Sequence, residues 1–372
     1  MLIHPYIGSL GILCNRKLGN PPFSEQHYYR RLNQVSSKYG ISIIVFHPQP
    51  IHRHVTGYTI CQDEWKKSIM PIPDLIYDRC LCTLGSDYRS LIRLLDTTSL
   101  QKQPILWSRG LPGKWKVYNH LIKYPNLIPY LPPTSSYSDS ESLNKELITH
   151  HGQVFLKPHA GSQGKSTLHI QRFPTENKFF INGRNHHNKE FMQTFNSESK
   201  ALQWVHQFIH HRPYIIQPYL PLTSKNGHPF DIRVLMQKNG KGRWVLTGMV
   251  VRQGQFGSAT SNLHGGGTAV SVLPYLTREY GTATAEHIMT VLHTLSRDIS
   301  PILESHFGRL GELGIDYGVD TEGNVWLLEV NSRPGRTSFN LIGDPTISNL
   351  ANENPLHYAR YLLLRQLRRV NS

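Results

Sequence analysis

Residues 311–333 read GELGIDYGVDTEGNVWLLEVNSR, and the pairing within this stretch decides the fold. Two runs with strand character, 313–319 and 325–330, flank the turn-like Asp320-Thr-Glu-Gly-Asn324. An antiparallel hairpin centred on Glu322-Gly323 sets Asp316 directly across from Glu329, whether its loop holds two residues or four. Side chains alternate along a strand, so Glu329 and Asn331 share a face and Asp316 joins them on it. Opposed carboxylates roughly 5 Å apart destabilise a sheet, and a cation between them relieves the repulsion. Asp, Glu and Asn offer only oxygen, which suits a hard ion such as magnesium rather than zinc. The plainer alternative is a solvent-facing acidic pair.

At 372 residues the chain supports a large core divided among subdomains. A hydrophobic content of 38%, with 29 glycines and 24 prolines, fits a loop-rich α/β protein. No apolar run reaches the ~18 residues needed to cross a bilayer. The opening MLIHPYIGSLGILCNRK lacks a basic region ahead of its apolar part and reads as a first strand, not a signal peptide. Cys14, Cys61, Cys80 and Cys82 are few for this length and suit a reducing, cytoplasmic setting. Cys80-x-Cys82 has neither redox nor zinc spacing, so these are read as structural or free thiols. The net charge of +15 is spread along the chain. Only Arg360, Arg365, Arg368 and Arg369 are locally dense, on an amphipathic helix expected to open at Asn354-Pro355. A solvated basic face is expected there, not a nucleic-acid surface.

Residues 1–110 alternate strand (8–14, 41–46, 73–77, 104–107) with helix (24–39, capped by Ser24, and 88–95), which favours a parallel sheet. No G-x-G-x-x-G follows the first strand, so a nicotinamide site is not expected. A short helix opens at Gly113-Lys114, and Ser138-Asp-Ser140 caps another over 141–149. Strands 153–157 and 167–170 enclose the loop Pro158-His-Ala-Gly-Ser-Gln-Gly-Lys-Ser166. Its backbone N–H groups can nest a phosphate, though alone the loop also reads as an ordinary turn. It is not a P-loop, because His159 stands at the first glycine position and a strand follows. Residues 174–200 are polar and read as a surface excursion, followed by a helix over 199–210 and a strand over 214–217. FDIRVLMQ (230–237) and WVLTGMVV (244–251) form a hairpin that places Asp231 and Arg233 on one face. His264-Gly-Gly-Gly267 lacks the G-x-S-x-G partner of a serine hydrolase. Ile288, Leu292, Leu295, Ile299 and Leu303 form a helical core stripe, expected to break at Pro301.

In this order the pieces resemble an ATP-grasp protein over roughly residues 110–340. The segments FDIRVLMQ, SNLHGGG and ELGIDYGVD…GNVWLLEVNSRPG are similar to the YheC/YheD group of endospore coat-associated ATP-grasp proteins; RimK-type ligases are more distant. The resemblance implies an α/β architecture of α+β subdomains behind an N-terminal Rossmann-like pre-ATP-grasp domain. The expected division is 1–110, then the ATP-grasp domain 111–350 (a nucleotide lid, 111–215, and a catalytic part, 216–350), then the helix 351–372. It further implies that Lys114 and Lys157 lie along the nucleotide and that Gly161, Ser162, Gly164 and Lys165 form the phosphate flap. Gln217, Tyr219 and Leu220 would make the adenine-side hinge. Arg233, Arg252 and Asn262 would face the γ-phosphate and acceptor, with Asp316, Glu329 and Asn331 holding magnesium, two ions being expected. Pro218-Tyr219 stands where many relatives carry an acidic residue, which leaves the ribose contact open.

Phosphoryl transfer needs positioned cations against spreading oxyanion charge, and Lys157, Lys165 and Arg233 supply them. The leading expectation is an ADP-forming carboxylate–amine or carboxylate–thiol ligase, cytoplasmic and sporulation- or coat-associated by resemblance. An ATP-grasp kinase acting on an anionic acceptor, or an ATP-binding coat scaffold without turnover, are the alternatives.

Overall fold

The structure, a computed structural model, describes residues 5–50, 53–81, 85–96, 103–161, 164–256 and 267–370. Three sheets carry it. The first is built from β1 (Gly8–Leu13), α1 (Gln26–Ser36), β2 (Ile41–Phe46), β3 (His54–Cys61), β4 (Glu64–Pro71), β5 (Leu75–Asp78), α2 (Ser86–Asp96) and β6 (Ile105–Trp107). Its order is β4-β3-β2-β1-β5-β6. β1, β2, β5 and β6 run parallel, as the strand–helix alternation requires. The antiparallel hairpin β3–β4 on its edge is not foreseen by that alternation. Its outer strand is largely exposed and so shows little hydrophobic pattern. Cys14, Cys61 and Cys80 are free thiols; Cys82 lies outside the described residues.

The second sheet follows α3 (Lys114–Leu121). It holds β7 (Ser135–Ser136), α4 (Ser140–Thr149), β8 (Gln153–Pro158), β9 (Thr167–Phe173), β10 (Lys178–Arg184), β11 (Glu190–Phe195), α5 (Glu198–Ile209) and β12 (Tyr214–Pro218). The strands run antiparallel in the order β11-β10-β9-β8-β12-β7. Asp139 caps α4, accepting from Ser142 N at 2.7 Å. The polar stretch 174–200 is therefore not a mere surface excursion, since it supplies β10, β11 and the start of α5. Only one side of β10 is apolar, with Phe179 and Ile181 buried against α4 and α5.

The third sheet has the order β15-β14-β13-β16-β17. Its elements are β13 (Phe230–Lys238), β14 (Trp244–Gln253), β15 (Thr268–Val270), α6 (Val272–Tyr280), α7 (Thr282–Phe307), β16 (Glu312–Val319), β17 (Val325–Asn331), α8 (Thr337–Leu341) and α9 (Pro345–Val370). Ile232, Val234, Met236, Ile315 and Tyr317 pack on the buried stripe of α7. Contrary to expectation, α7 continues through Pro301, which sits on the exposed side while Ile299 and Leu303 stay anchored in the core. α9 likewise opens at Pro345, ahead of the expected Asn354-Pro355. Asn354 instead bonds Gln237 and Thr247 inside the protein, at 3.2 and 3.1 Å. Leu356, Ala359 and Leu363 of α9 join the core of the first sheet.

A buried ion cluster ties the first and third sheets together. Glu312, 1% exposed, accepts from Arg79 at 2.7 Å and from Arg336 at 2.5 Å. The Tyr77 hydroxyl donates to the same carboxylate, and Gln237 adds a bond at 3.2 Å. Arg79 also grips Glu25 at 2.6 Å. Ser24 therefore does not cap α1: Glu25 holds that position in the left-handed region (φ 59°) and gives its side chain to Arg79. Arg336 lies 3.9 Å from the Tyr28 ring centroid. Two buried arginines thus balance one fully buried glutamate, Glu312, and one at the surface, Glu25. Glu312→Gln leaves two buried guanidinium groups with one carboxylate, at a cost of about 3–5 kcal/mol. Urea unfolding should show a clearly lower midpoint for this variant, and an unshifted midpoint would contradict the cluster's role.

Candidate active site

One face of the third sheet is apolar and covered by α7. The other is covered by α8 and α9 only at one end, where Leu235 and Val250 meet Phe339 and Ala351. Beyond that cover the same face carries Asp231 and Arg233 of β13, Arg252 of β14, Asp316 of β16, and Glu329 and Asn331 of β17. Asp231 lies opposite Arg252, Arg233 opposite Asp316, and Asp316 opposite Glu329; only the last of these pairings is read from the sequence pattern. The route to the last pair differs from expectation. Near the turn Val319 pairs with Val325 and Tyr317 with Leu327, so the loop is the odd-numbered 320–324. Asp320 organises it by accepting from the backbone N–H groups of Glu322 and Asn324. In that register Asp316 would oppose Leu328 and Glu329 would join the core face. A β-bulge between Leu327 and Glu329 restores the count and returns Glu329 to the polar face.

The side chains on this face touch. Arg233 makes a two-pronged ion pair with Asp316, its second bond 2.8 Å long. Arg252 does the same with Asp231, at 2.6 and 2.7 Å, and reaches Asp316 at 3.2 Å. Asn331 Nδ2 donates to Glu329 at 2.8 Å and lies 3.4 Å from Asp316, so both carboxylates converge on one atom. Lys114 reaches Glu329 at 3.2 Å and the Gly161 carbonyl at 2.8 Å, linking flap and acidic hairpin. Gly113 permits this approach, because a Cβ there would stand 2.9 Å from the His159 carbonyl. Lys157, on β8 of the second sheet, donates across the cleft to the carbonyl of bulged Leu328 at 3.1 Å.

Burial pushes Lys157 down to about 8, and neighbouring Lys114 adds to the shift against the pull of Glu329 and Asp316. Burial would raise Glu329, but Lys114, the Asn331 bond, Lys157 and Arg233 outweigh it and bring it down to about 2. Glu329 is thus anionic throughout the physiological range. Burial works against Arg252 as well, yet Asp231 and Asp316 hold its guanidinium firmly protonated.

The second sheet turns Phe155, Lys157, His169, Asn182 and Gln217 toward the same cleft, opposite its apolar side. Gln217, at the hinge, donates to Thr134 at 2.8 Å. Tyr219 stacks flat on His169, with centroids 3.7 Å apart and planes 12° apart. His169 Nε2 and Asn182 Oδ1 are buried without hydrogen-bond partners among the described residues. Burial brings His169 down to about 4, Asn182 acting the other way, so the ring is neutral. In the flap, Gly161 and Lys165 are exposed and Gly164 has φ 68°. Leu220 follows Tyr219 and is half-buried. Ser162 and Asn262 lie outside the described residues.

The donor set fits magnesium. Asp316, Glu329 and the amide oxygen of Asn331, once that amide turns over, are hard oxygen ligands converging on one point. Among the described residues no third His, Cys, Asp or Glu completes a cage. The rest of an octahedral shell would fall to phosphate oxygens and water. The orphaned polar atoms of His169 and Asn182 beside an aromatic ring fit a nucleotide base. Sequence reasoning placed Asp231 on the face of Arg233 but missed two contributors. The Leu328 carbonyl depends on the bulge and His169 on the strand order, and neither leaves a local signal.

A family model described as YheC/D-like ATP-grasp matches residues 103–362. The endospore coat-associated protein YheC of Bacillus subtilis (strain 168) is 27% identical over 358 residues, covering 94% of this chain and 96% of its own length. The endospore coat-associated protein YheD of the same organism is 30% identical over 317 residues, covering 83% of this chain and 67% of its own. Among solved structures, the D-alanine–D-alanine ligase from Coxiella burnetii superposes with a TM-score of 0.52 at 13% identity, covering 98% of both chains; the likeness is one of fold. With its three sheets and the matched span, the chain has the ATP-grasp fold and belongs to the YheC/D-like ATP-grasp family.

Proposed function

We propose that the protein is an ATP- and magnesium-dependent, ADP-forming ligase that joins a carboxylate to an amine or thiol. The observation that carries this reading is the cleft between two sheets, where Lys114, Lys157, Arg233 and Arg252 meet Asp231, Asp316 and Glu329. Bound magnesium would supply charge neutralisation and orientation for the β- and γ-phosphates. Lys157 of β8 and Lys114 of α3 position the phosphates, and the flap 161–165 closes over them. Gln217, Tyr219 and Leu220 border the base, with His169 and Asn182 beneath it. Arg233 and Arg252, fixed by their aspartates, present the planar guanidinium edge that aligns a carboxylate. An acceptor carboxylate oxygen bonds to the γ-phosphorus while the bond to the β-phosphate oxygen breaks, giving an acyl phosphate and ADP. An amine or thiol then attacks the acyl carbon, phosphate leaves, and the nucleophile's proton is lost to solvent. The expected boundary at 350 falls inside α9. The division at residue 110 belongs to the same proposal, supported by the separate first sheet. So does action in the cytoplasm with coat association, supported by the relatives' names. No helix of the described residues is long and apolar enough to cross a membrane.

Screening carboxylates with amines and thiols for ADP release, with product masses, tests the reaction. An amide or thioester product is expected, whereas a phosphorylated hydroxyl product would replace the ligase with a kinase. Glu329→Gln and Asp316→Asn should weaken magnesium–ATP binding and lower turnover on the order of 10²–10³-fold. Their folds should persist, as read by circular dichroism; turnover at the parent rate would remove these residues from the metal site. Lys157 bears its charge below about 8 and loses it above. Phosphate binding favours the charged form, so magnesium–ATP affinity should fall as pH rises through about 8. Calorimetry on Lys157→Arg should give a nearly flat affinity from about pH 7 to 9; a flat parent profile would refute the assignment.

A further inference from the structure

Outside the cleft, an open surface pocket of about 340 Å³, its arginines exposed, lies beside the carboxyl ends of β5 and β6 in the first sheet. Tyr88, Arg89, Ile92, Arg93 and Arg109 line it. Among the described residues that line it, three are arginines and none is acidic. The nearby buried carboxylate of Asp78 is already engaged, accepting from Tyr88 at 2.6 Å, Arg333 at 2.8 Å and Cys80 N at 2.8 Å. Arg89 and Arg93 project from α2 without a carboxylate partner among the described residues. Ligands of open α/β sheets bind outside the carboxyl ends of the strands, and this volume suits a small molecule.

The cavity is wired to the proposed metal strand. Arg333, two residues beyond Asn331, donates to Asp78 and to the Arg109 carbonyl at 3.1 Å. Gly110, at φ 98°, leaves room for it, since a Cβ there would stand 2.9 Å from the guanidinium. Ser332 accepts from Leu111 N at 2.9 Å. One wall of the cavity and the exit of β17 are thus a single hydrogen-bonded unit.

We propose that Arg89 and Arg93 form an oxyanion subsite that seats a carboxylate or phosphate group of the acceptor, distinct from the carboxylate to be activated. The word acceptor rests on the ligase reading; the anion affinity does not. Several guanidinium edges around one small volume match a multiply charged oxyanion through paired N–H bonds. Ile92 and Tyr88 supply an apolar wall for the ligand's carbon skeleton.

The test is calorimetric titration of the full chain, its nucleotide site filled with magnesium–ADP. Tricarballylate and glycerol 3-phosphate are added separately, which distinguishes a carboxylate source from a phosphate one. The parent should bind one equivalent of at least one probe, and R89E/R93E should bind it at least tenfold more weakly. The control K66E/K67E, which alters the same charge on exposed β4, should bind like the parent. Failure of both probes to bind, or equal weakening in both double variants, would overturn the subsite. Because the titration needs no turnover, a failed ligation screen leaves its outcome intact, and the reverse holds.

Discussion

The carboxylate of Glu312 is the point on which the architecture turns. It opens β16, and Asp316 lies four residues further along the same strand. Its two guanidinium partners come from either side of the site: Arg79 leaves the parallel sheet, and Arg336 leaves the segment after Asn331. The start of one acidic strand and the exit of the other are therefore fixed to a common anion. An apolar cluster there could be as stable, because desolvating charges consumes much of their attraction. Paired ions differ in being directional. A strand shifted by one residue would leave a buried arginine without its oxygen, so the register of β16 is selected together with the docking of the N-terminal sheet.

The cleft uses the same principle of paired, largely buried charges. Its cations come from both sheets and its anions from one, so bringing the sheets together raises the field where phosphates are proposed to bind. Lys157 senses this approach directly, because its ammonium spans to a backbone carbonyl of the other sheet. That contact occupies the lysine with a neutral acceptor of modest strength, which an anionic oxygen would readily displace. The arginines are held more tightly, each by a two-pronged carboxylate, and they keep their orientation without a ligand.

Much of this was legible in the sequence, and the failures have physical causes. The parallel strands follow from the alternation of strand and helix, and the stripe of α7 from its periodicity, since that helix buries one face. The pairing of Asp316 with Glu329 was also legible, but by way of an even-numbered loop that the protein does not have; the bulge makes up the difference. Two hairpins, β3–β4 and β10–β11, escaped because much of their surface faces solvent and the alternation fades. Pro301 reads as an interruption and Pro355 as a helix start, yet both lie inside long helices whose neighbouring turns are anchored in the core. The cluster of Arg79, Glu312 and Arg336 could not be foreseen, because its members stand 233 residues apart at the widest direct hydrogen bond between Arg79 and Glu312. The arginine cavity is hidden likewise, with Arg89 and Arg93 a helical turn apart and Arg109 arriving from another strand end.

The extra residue in β17 works as a phase change. From the turn to Leu327 the strand is written for the core, and from Glu329 onward the same alternation is written for the cleft. Leu328 is the join between the two, and its carbonyl, freed from the ladder, is the atom that greets Lys157. Core and cleft can thus accept substitutions separately on a single strand. They meet at Leu328: without that residue Leu327 and Glu329 would still face Tyr317 and Asp316, but the carbonyl that receives Lys157 would be gone.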